Sequence, residues 1–157
     1  MSIRVLRFIA LMLAALGMTM GMAHLLELAP RMRYDAKMYE AVTKTMYRFY
    51  GIAGGPVQIA AVLAAAGLAY RVRGRPGFRL ALGGAFCLAL SVALWFALVQ
   101  PVNAQWAHIL QTNPMWAPDL YLQLRDGWEY GHVCAFVVWL SGVCLLTLSV
   151  LAETPKA

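Results

Sequence analysis

The sequence predicts an all-α integral membrane protein, a four-helix bundle running up, down, up and down through the bilayer with both termini in the cytoplasm. Three observations predict it. The 157-residue chain is 62% hydrophobic and only 13% charged, about half the charged share of a soluble domain, whose surface must face water. Its mean hydropathy is +0.65. Charge is also segregated, because the 13 Lys and Arg and the 7 Asp and Glu crowd between four stretches that hold almost none.

The first helix, about 5–28, follows Arg4 and Arg7 and carries an apolar run from Phe8 to Leu26 broken only by His24. A cleavable signal peptide is the competing reading, since Gly21-Met22-Ala23 loosely resembles a small-x-Ala site. The run is nevertheless longer than the roughly 7–15 residues of a signal core. An outer segment, 29–50, mixes charge with tyrosines. Tyr39, Val42 or Thr43, Met46 and Tyr50 recur in it at helical spacing. That pattern predicts a short amphipathic helix at the interface, its tyrosines part of an aromatic belt.

The second helix, 51–70, and the third, 80–102, flank a tight inner loop, 71–79, that holds Arg71, Arg73, Arg75 and Arg79. A second outer segment, 103–128, contains Trp106, Pro114, Trp116, Pro118 and Tyr121 and predicts an ordered cap with a short helix near 120–125. The fourth helix is 130–152. Each apolar run is long enough, at about 1.5 Å per residue, to cross a hydrocarbon core of roughly 30 Å. In lipid all backbone polar groups must pair within the element, and runs this solidly apolar do not alternate as barrel strands do.

The net charge of +6 raises a nucleic-acid partner as an option, but basic residues beside apolar spans read as positive-inside anchors, which leaves the lipid bilayer as the partner and no nucleic acid. Arg4, Arg7, the four loop arginines and Lys156 then lie inside with Glu153 as the one acid there. Arg31, Arg33, Lys37, Lys44, Arg48 and Arg125 lie outside among six acids. Association into a homo-oligomer stays open. The three cysteines form no disulfide framework; Cys134 and Cys144 fall about 15 Å apart on one helix, and Cys87 reads as a small buried hydrophobe.

The topology brings the end of the first helix, the start of the second, the end of the third and the start of the fourth to one leaflet. Nearly every unusual polar residue falls there: His24, Glu27, Gln58, Gln100, Asn103, Arg125, Glu129 and His132. His24 and Glu27, like Glu129 and His132, are three apart and share a helix face; Arg125 and Glu129 are four apart and spaced to pair. Ionisable residues in a span face the bundle interior, since lipid exposure is costly.

One reading is a metal or redox site with His24, Glu27 and His132 as ligands, holding iron or copper with Met20 in support, or a haem between the two histidines. The competing reading is a salt-bridge network that locks the first and fourth helices of a non-enzymatic accessory subunit. His108 reads as a solvated loop residue. Met18 and Met22 read as packing, and Gly51, Gly54, Gly55, Gly83 and Gly84 as sites of close helix contact. Soluble catalytic signatures such as a P-loop or a nucleophile elbow are missing from the sequence.

His24-Leu25-Leu26-Glu27-Leu28-Ala29-Pro30 followed by Lys37, then Pro101-Val102-Asn103, then Trp128-Glu129-Tyr130-Gly131-His132 resemble a family of small bacterial four-helix membrane proteins of unknown function grouped with the fungal anthrone oxygenases. The resemblance spans nearly the whole chain, through short motifs. It implies a bacterial inner-membrane protein and oxygen insertion into a reduced polycyclic aromatic without a dedicated cofactor, with Asn103, Trp128 and His132 as the matching positions. Relatives often carry an arginine soon after the position of His132, whereas residues 133–152 contain none.

The combined expectation is an oxygenase or oxidoreductase acting on a small hydrophobic aromatic or quinone-like substrate in a polar pocket at the outer leaflet. His132 is the expected general base or ligand, Glu129 its orienting partner and Asn103 the donor to a developing oxyanion. Trp128, Arg125, Gln58 and Trp106 are the expected substrate-binding residues.

Overall fold

The computed structural model describes residues 1–47, 49–112 and 118–154; Arg48, Pro114, Trp116 and Lys156 lie outside them. The described residues form six α-helices: α1 (Ile3–Arg31), α2 (Ala36–Met46), α3 (Gly55–Arg71), α4 (Phe78–Leu94), α5 (Gln100–Thr112) and α6 (Pro118–Leu151). Four stretches are long and apolar enough to cross a membrane: Ile3–Arg31, Tyr50–Arg71, Phe78–His108 and Leu120–Leu151. That is the architecture of a multi-pass membrane helix bundle. Large apolar side chains such as Phe8, Leu16, Leu63, Phe86 and Leu148 are exposed on its outside, where a soluble protein would place charge.

Two short π-helical turns, Tyr50–Gly54 ahead of α3 and Trp95–Val99 between α4 and α5, have a shared local cause. Each runs up to a proline, Pro56 or Pro101. A proline inside a helix lacks an N–H, and its ring collides with the carbonyl four residues earlier. Widening the preceding turn relieves that collision, and at the second site the Gln100 N–H reaches back five residues to the Trp95 carbonyl.

Both outer segments are more helical than expected. Asp35 caps α2, its side chain accepting from the Met38 N–H at 2.8 Å. Tyr39 and Tyr47 are buried at 2% and 7% exposure, so they point into the protein and not into an interfacial belt, while Met46 is exposed. The fourth helix begins at Pro118 instead of near 130, which takes in the short helix expected at 120–125 and carries Tyr121, Arg125 and Trp128 on one continuous rod. His108 lies exposed on α5, not in a loop.

α1 packs on α3 and α6, α3 on α4, and α4 on α6, which closes a ring. Its centre is made of small side chains, Ala10, Ala14, Ala61, Ala65, Ala81 and Ala85, filled out by Leu68, Leu88, Leu146 and Trp139. Small residues let helix backbones approach, which in lipid replaces the hydrophobic drive to associate. A Cβ added at Gly84 would lie 3.0 Å from the Gly142 carbonyl oxygen, so α4 and α6 touch there. Gly83 and Gly54 also pack against side chains, but nothing lies within 4 Å of a Cβ built on Gly51 or Gly55, so close helix contact is not their role. Trp139 ties α6 to α1 by donating its indole N–H to the Ala14 carbonyl at 2.9 Å. Cys87 is half-buried, and Cys134 and Cys144 are exposed.

At the end of the bundle that carries the chain termini, Glu153 pairs with Arg7 at 2.6 Å and Arg75 at 3.4 Å, which clamps α6 to α1 and to the α3–α4 loop. The loop turns at Gly74, whose φ of +77° suits glycine. Burial pushes the Glu153 carboxyl up, but the hydrogen bonds and charges of Arg7 and Arg75 outweigh it and hold it below the ordinary carboxylate value. A carboxylate depressed in the folded state stabilises above the unfolded pKa, about 4.3, and loses that contribution as pH falls through the folded one. Wild type is therefore expected to melt above Glu153→Gln at neutral pH in detergent, with the gap closing as the pH drops below about 4; a gap that persists in acid shows the clamp works by packing alone.

Candidate functional site: a membrane-level cavity

On α1, His24, Glu27 and Arg31 follow at three- and four-residue steps and share a face. That face meets α6, where Trp128, Glu129 and His132 fall within about one helical turn, and α2 closes over both. Arg31 and Glu129 are the centre of the contact, with side chains 1% and 0% exposed. The Arg31 Nε donates to Glu129 Oε1 at 2.5 Å and Nη2 to Thr43 Oγ1 at 3.0 Å, and the Tyr39 hydroxyl donates to the same Glu129 oxygen at 2.8 Å. The guanidinium carbon lies 4.4 Å from the Tyr47 ring centre, 4.6 Å from that of Tyr39 and 5.0 Å from Trp128. An aromatic cage of this kind supports a cation where water cannot. Burial raises the Tyr39 hydroxyl well above its usual value and the Glu129 charge adds to this against Arg31, which suits its role as a donor.

This corrects several expectations. Glu129 does not orient His132 and does not pair with Arg125: its bonded oxygen is taken by Arg31 and Tyr39. Arg125 instead grips Asp126 at 2.7 Å and donates to the Met32 carbonyl at 2.9 Å, closing the end of α1; it does not line the cavity. Glu27 accepts from the Tyr47 hydroxyl and is likewise absent from the cavity wall. Residue spacing finds which side chains share a face but not which neighbour wins them, and here α1 and α2 supplied competitors.

Beside this cage lies a cavity of ≈ 460 Å³ between α1, α3, α4 and α6 under α2. Aromatic rings form much of its wall: Tyr47, Tyr50, Trp95, Trp128, Phe136 and Trp139. His24, His132, Asn103, Gln58, Thr43 and Ser91 supply polar groups. Of the residues expected to bind substrate, Trp128 and Gln58 are therefore here, while Trp106 lines a smaller adjoining cavity of ≈ 110 Å³ with Tyr39 and Asn103. Met20 also lines the main cavity and packs on Gly54.

The polar groups have defined roles. His132 has both ring nitrogens engaged: Nε2 accepts from the Trp95 indole N–H at 3.2 Å and Nδ1 lies 2.8 Å from the Trp128 carbonyl. An indole N–H only donates, so this is the Nδ1–H tautomer. Asn103 Oδ1 accepts from the Trp128 indole at 2.9 Å, which fixes the amide orientation and leaves its NH₂ as the donor. His24 is different. It is 4% exposed, and among the described residues its Nδ1 has no hydrogen-bond partner. A buried polar atom without a partner is costly and calls for an explanation.

The metal set expected from His24, Glu27 and His132 does not assemble. The two imidazoles are stacked, centroids 4.0 Å apart with planes 26° from parallel, so their in-plane lone pairs do not converge on one ion, and face-to-face contact leaves no room for a haem between them. Among the described residues no three His, Cys, Asp or Glu side chains are grouped to hold a metal. The Arg31–Glu129 pair ties α1 to α6.

Arg31, Tyr39, Tyr47, Trp95 and Ser91 were not among the expected site residues. Arg31 was legible: it lies four residues after Glu27 and seven after His24 on the same face. The tyrosines were not, because their inward turn depends on how α2 folds back. Comparison of the chain with protein-family models, with curated proteins and with solved structures found no match.

Proposed function

We propose that the protein is a bacterial inner-membrane enzyme that binds a small planar aromatic molecule, a phenol or a quinone-like ring system, in the ≈ 460 Å³ cavity and oxidises it. The Arg4, Arg7 and loop-arginine end faces the cytoplasm, in keeping with the positive-inside rule. One observation carries the reading: an aromatic-walled cavity among the apolar spans is lined by His24, a buried imidazole whose Nδ1 has no hydrogen-bond partner among the described residues. Binding pockets for small molecules are mostly apolar with a few placed polar groups and have volumes of roughly 300–1,000 Å³. A ligand hydroxyl would satisfy the His24 nitrogen, and the flat rings around it match a flat partner.

The three motifs that resemble the anthrone oxygenase group supply His24, Asn103, Trp128 and His132 to this one cavity, which supports kinship of chemistry. In that chemistry His24 accepts a proton from a phenol or from a ring CH₂ that lies across the ring from a carbonyl and is conjugated to it, and the Asn103 amide donates to the resulting oxyanion. The electron-rich ring then reacts with dioxygen: the CH₂ becomes C=O, and the second oxygen atom leaves with both hydrogens as water. His132, held by Trp95 and Trp128, is the ring on which His24 stacks and so a positioning residue.

The test is direct. Purified protein in lipid nanodiscs, supplied with anthrone in air, is expected to quench in tryptophan fluorescence and to consume one dioxygen per anthraquinone formed, faster than the uncatalysed control. Absence of both the quenching and the acceleration overturns this reading.

A further inference from the structure

The cavity is not sealed, and the identity of the residues at its openings bears on where its ligand comes from. Four lining residues are also exposed on the outside of the protein: Lys44 on α2, and Gly51, Ile59 and Phe96 along the gap between the start of α3 and the end of α4. The second group is wholly apolar and sits within segments that are apolar enough to cross a membrane. Both π-helical turns border this gap. The first packs on α1 and α3, the second on α4, α5 and α6, and neither is among the other's main neighbours, so the two sides diverge here. Gly51 and Gly55 line the cavity at this side, with open space where their side chains would be. Glycines that make no close helix contact, at a place where two helices part, keep a passage free.

Resting on the reading of the cavity as a site for an aromatic phenol or quinone, we infer that its ligand is dissolved in the bilayer and enters sideways between α3 and α4, the oxygen-bearing ring reaching His24 and an apolar tail lying out through the gap towards lipid. Depth within the site fits this order. An added Cβ at Gly17 would meet both Gln58 and Trp139, so those side chains lie at the Gly17 level of α1, two helical turns from His24. His24, Asn103 and Thr43 thus form one polar end of the cavity, and the Gln58 amide and Trp139 lie deeper, about two turns along α1. An amphiphile with one oxygenated end and one aliphatic end can satisfy both regions at once, whereas a small water-borne phenol has no use for the lateral opening. The Lys44 mouth, beside its ion pair with Glu40 at 2.5 Å, is left for water and protons.

The experiment compares two quinones that share one head group, 2,3-dimethoxy-5-methyl-1,4-benzoquinone, with and without a decyl chain. Each is titrated into the protein in phosphatidylcholine nanodiscs and read by tryptophan quenching. The ratio of the two affinities in wild type is compared with that in Gly51→Leu/Gly55→Leu, so that partition of the tail into lipid cancels. Filling the gap is expected to reduce the tail's advantage by about tenfold, the effect of excluding a couple of buried methylenes. A ratio within about twofold of wild type, or one that falls only in Lys44→Trp, overturns sideways entry while leaving the aromatic site standing. If wild type is quenched by neither quinone and does not act on anthrone, the site reading falls and this inference with it.

Discussion

Arg31→Met is expected to destabilise the protein by about 3–5 kcal/mol, and Glu129→Leu by a similar amount, while the double variant recovers most of the loss. The reason lies in what each single change leaves behind. Without Arg31, a carboxylate that is 0% exposed keeps only the Tyr39 hydroxyl as a donor; without Glu129, a guanidinium that is 1% exposed keeps Thr43 and three aromatic faces but no counter-charge. Removing both removes the unpaired charge, and two apolar side chains of similar length fill the space. Arg31 Nη1 and Glu129 Oε2 already lack partners among the described residues, so the pair is not fully compensated even when intact, which is why the double variant regains so much. Thermal ramps in detergent, scored by the monodisperse fraction remaining, give the comparison. Single variants as stable as wild type, or a double variant no better than either single, contradict the account.

Tyr39→Phe probes the same cage more gently. It takes one donor from a charged acceptor, an interaction of roughly 1.5–3 kcal/mol, and keeps the ring beneath the guanidinium.

How much of this was legible in the chain follows from which interactions are local. The four spans were readable because lipid imposes a single demand, paired backbone in an apolar run, that shows in the length of uncharged sequence from Gly51 to Tyr70 or from Leu80 to Val102. Convergence of His24 with His132 was readable because it follows from alternating spans: the rings stack at 4.0 Å. The extension of α6 back to Pro118 was hidden by Pro118, Asp119 and Gly127, residues that look like loop punctuation but are tolerated at a helix start and beside a packed neighbour. The partner of Glu129 was hidden for another reason. Arg125, four residues away on the same helix, is the local solution, and it loses to Arg31, ninety-eight residues earlier, because the tertiary pair is shielded from water by Tyr39, Tyr47 and Trp128 while Arg125 finds the exposed Asp126 and a free helix-end carbonyl.

That distinction between local and tertiary partners also bears on which histidine is the base in the proposed reaction. Motif reasoning favours His132, which follows Glu129 at the spacing of an acid and its base. In the folded chain His132 Nε2 is occupied by the Trp95 indole and Nδ1 by the Trp128 carbonyl, so neither can take a proton from a ligand without first breaking a bond. His24 has a buried Nδ1 with no hydrogen-bond partner among the described residues. His24→Ala is therefore expected to lower kcat on anthrone by about 100-fold or more, the usual worth of a positioned general base. The space it opens in a cavity of ≈ 460 Å³ admits free imidazole, and added imidazole is expected to restore a substantial part of the rate. His132→Gln keeps polar groups for the Trp95 and Trp128 partners and is expected to lower kcat by about tenfold with no imidazole rescue, as a residue that only holds another in place should. The reverse pattern, rescue at position 132 and mild loss at 24, would return the base to His132. It would also require the Trp95 indole to let go of Nε2 when substrate arrives, an event that a change in Trp95 fluorescence on binding would reveal.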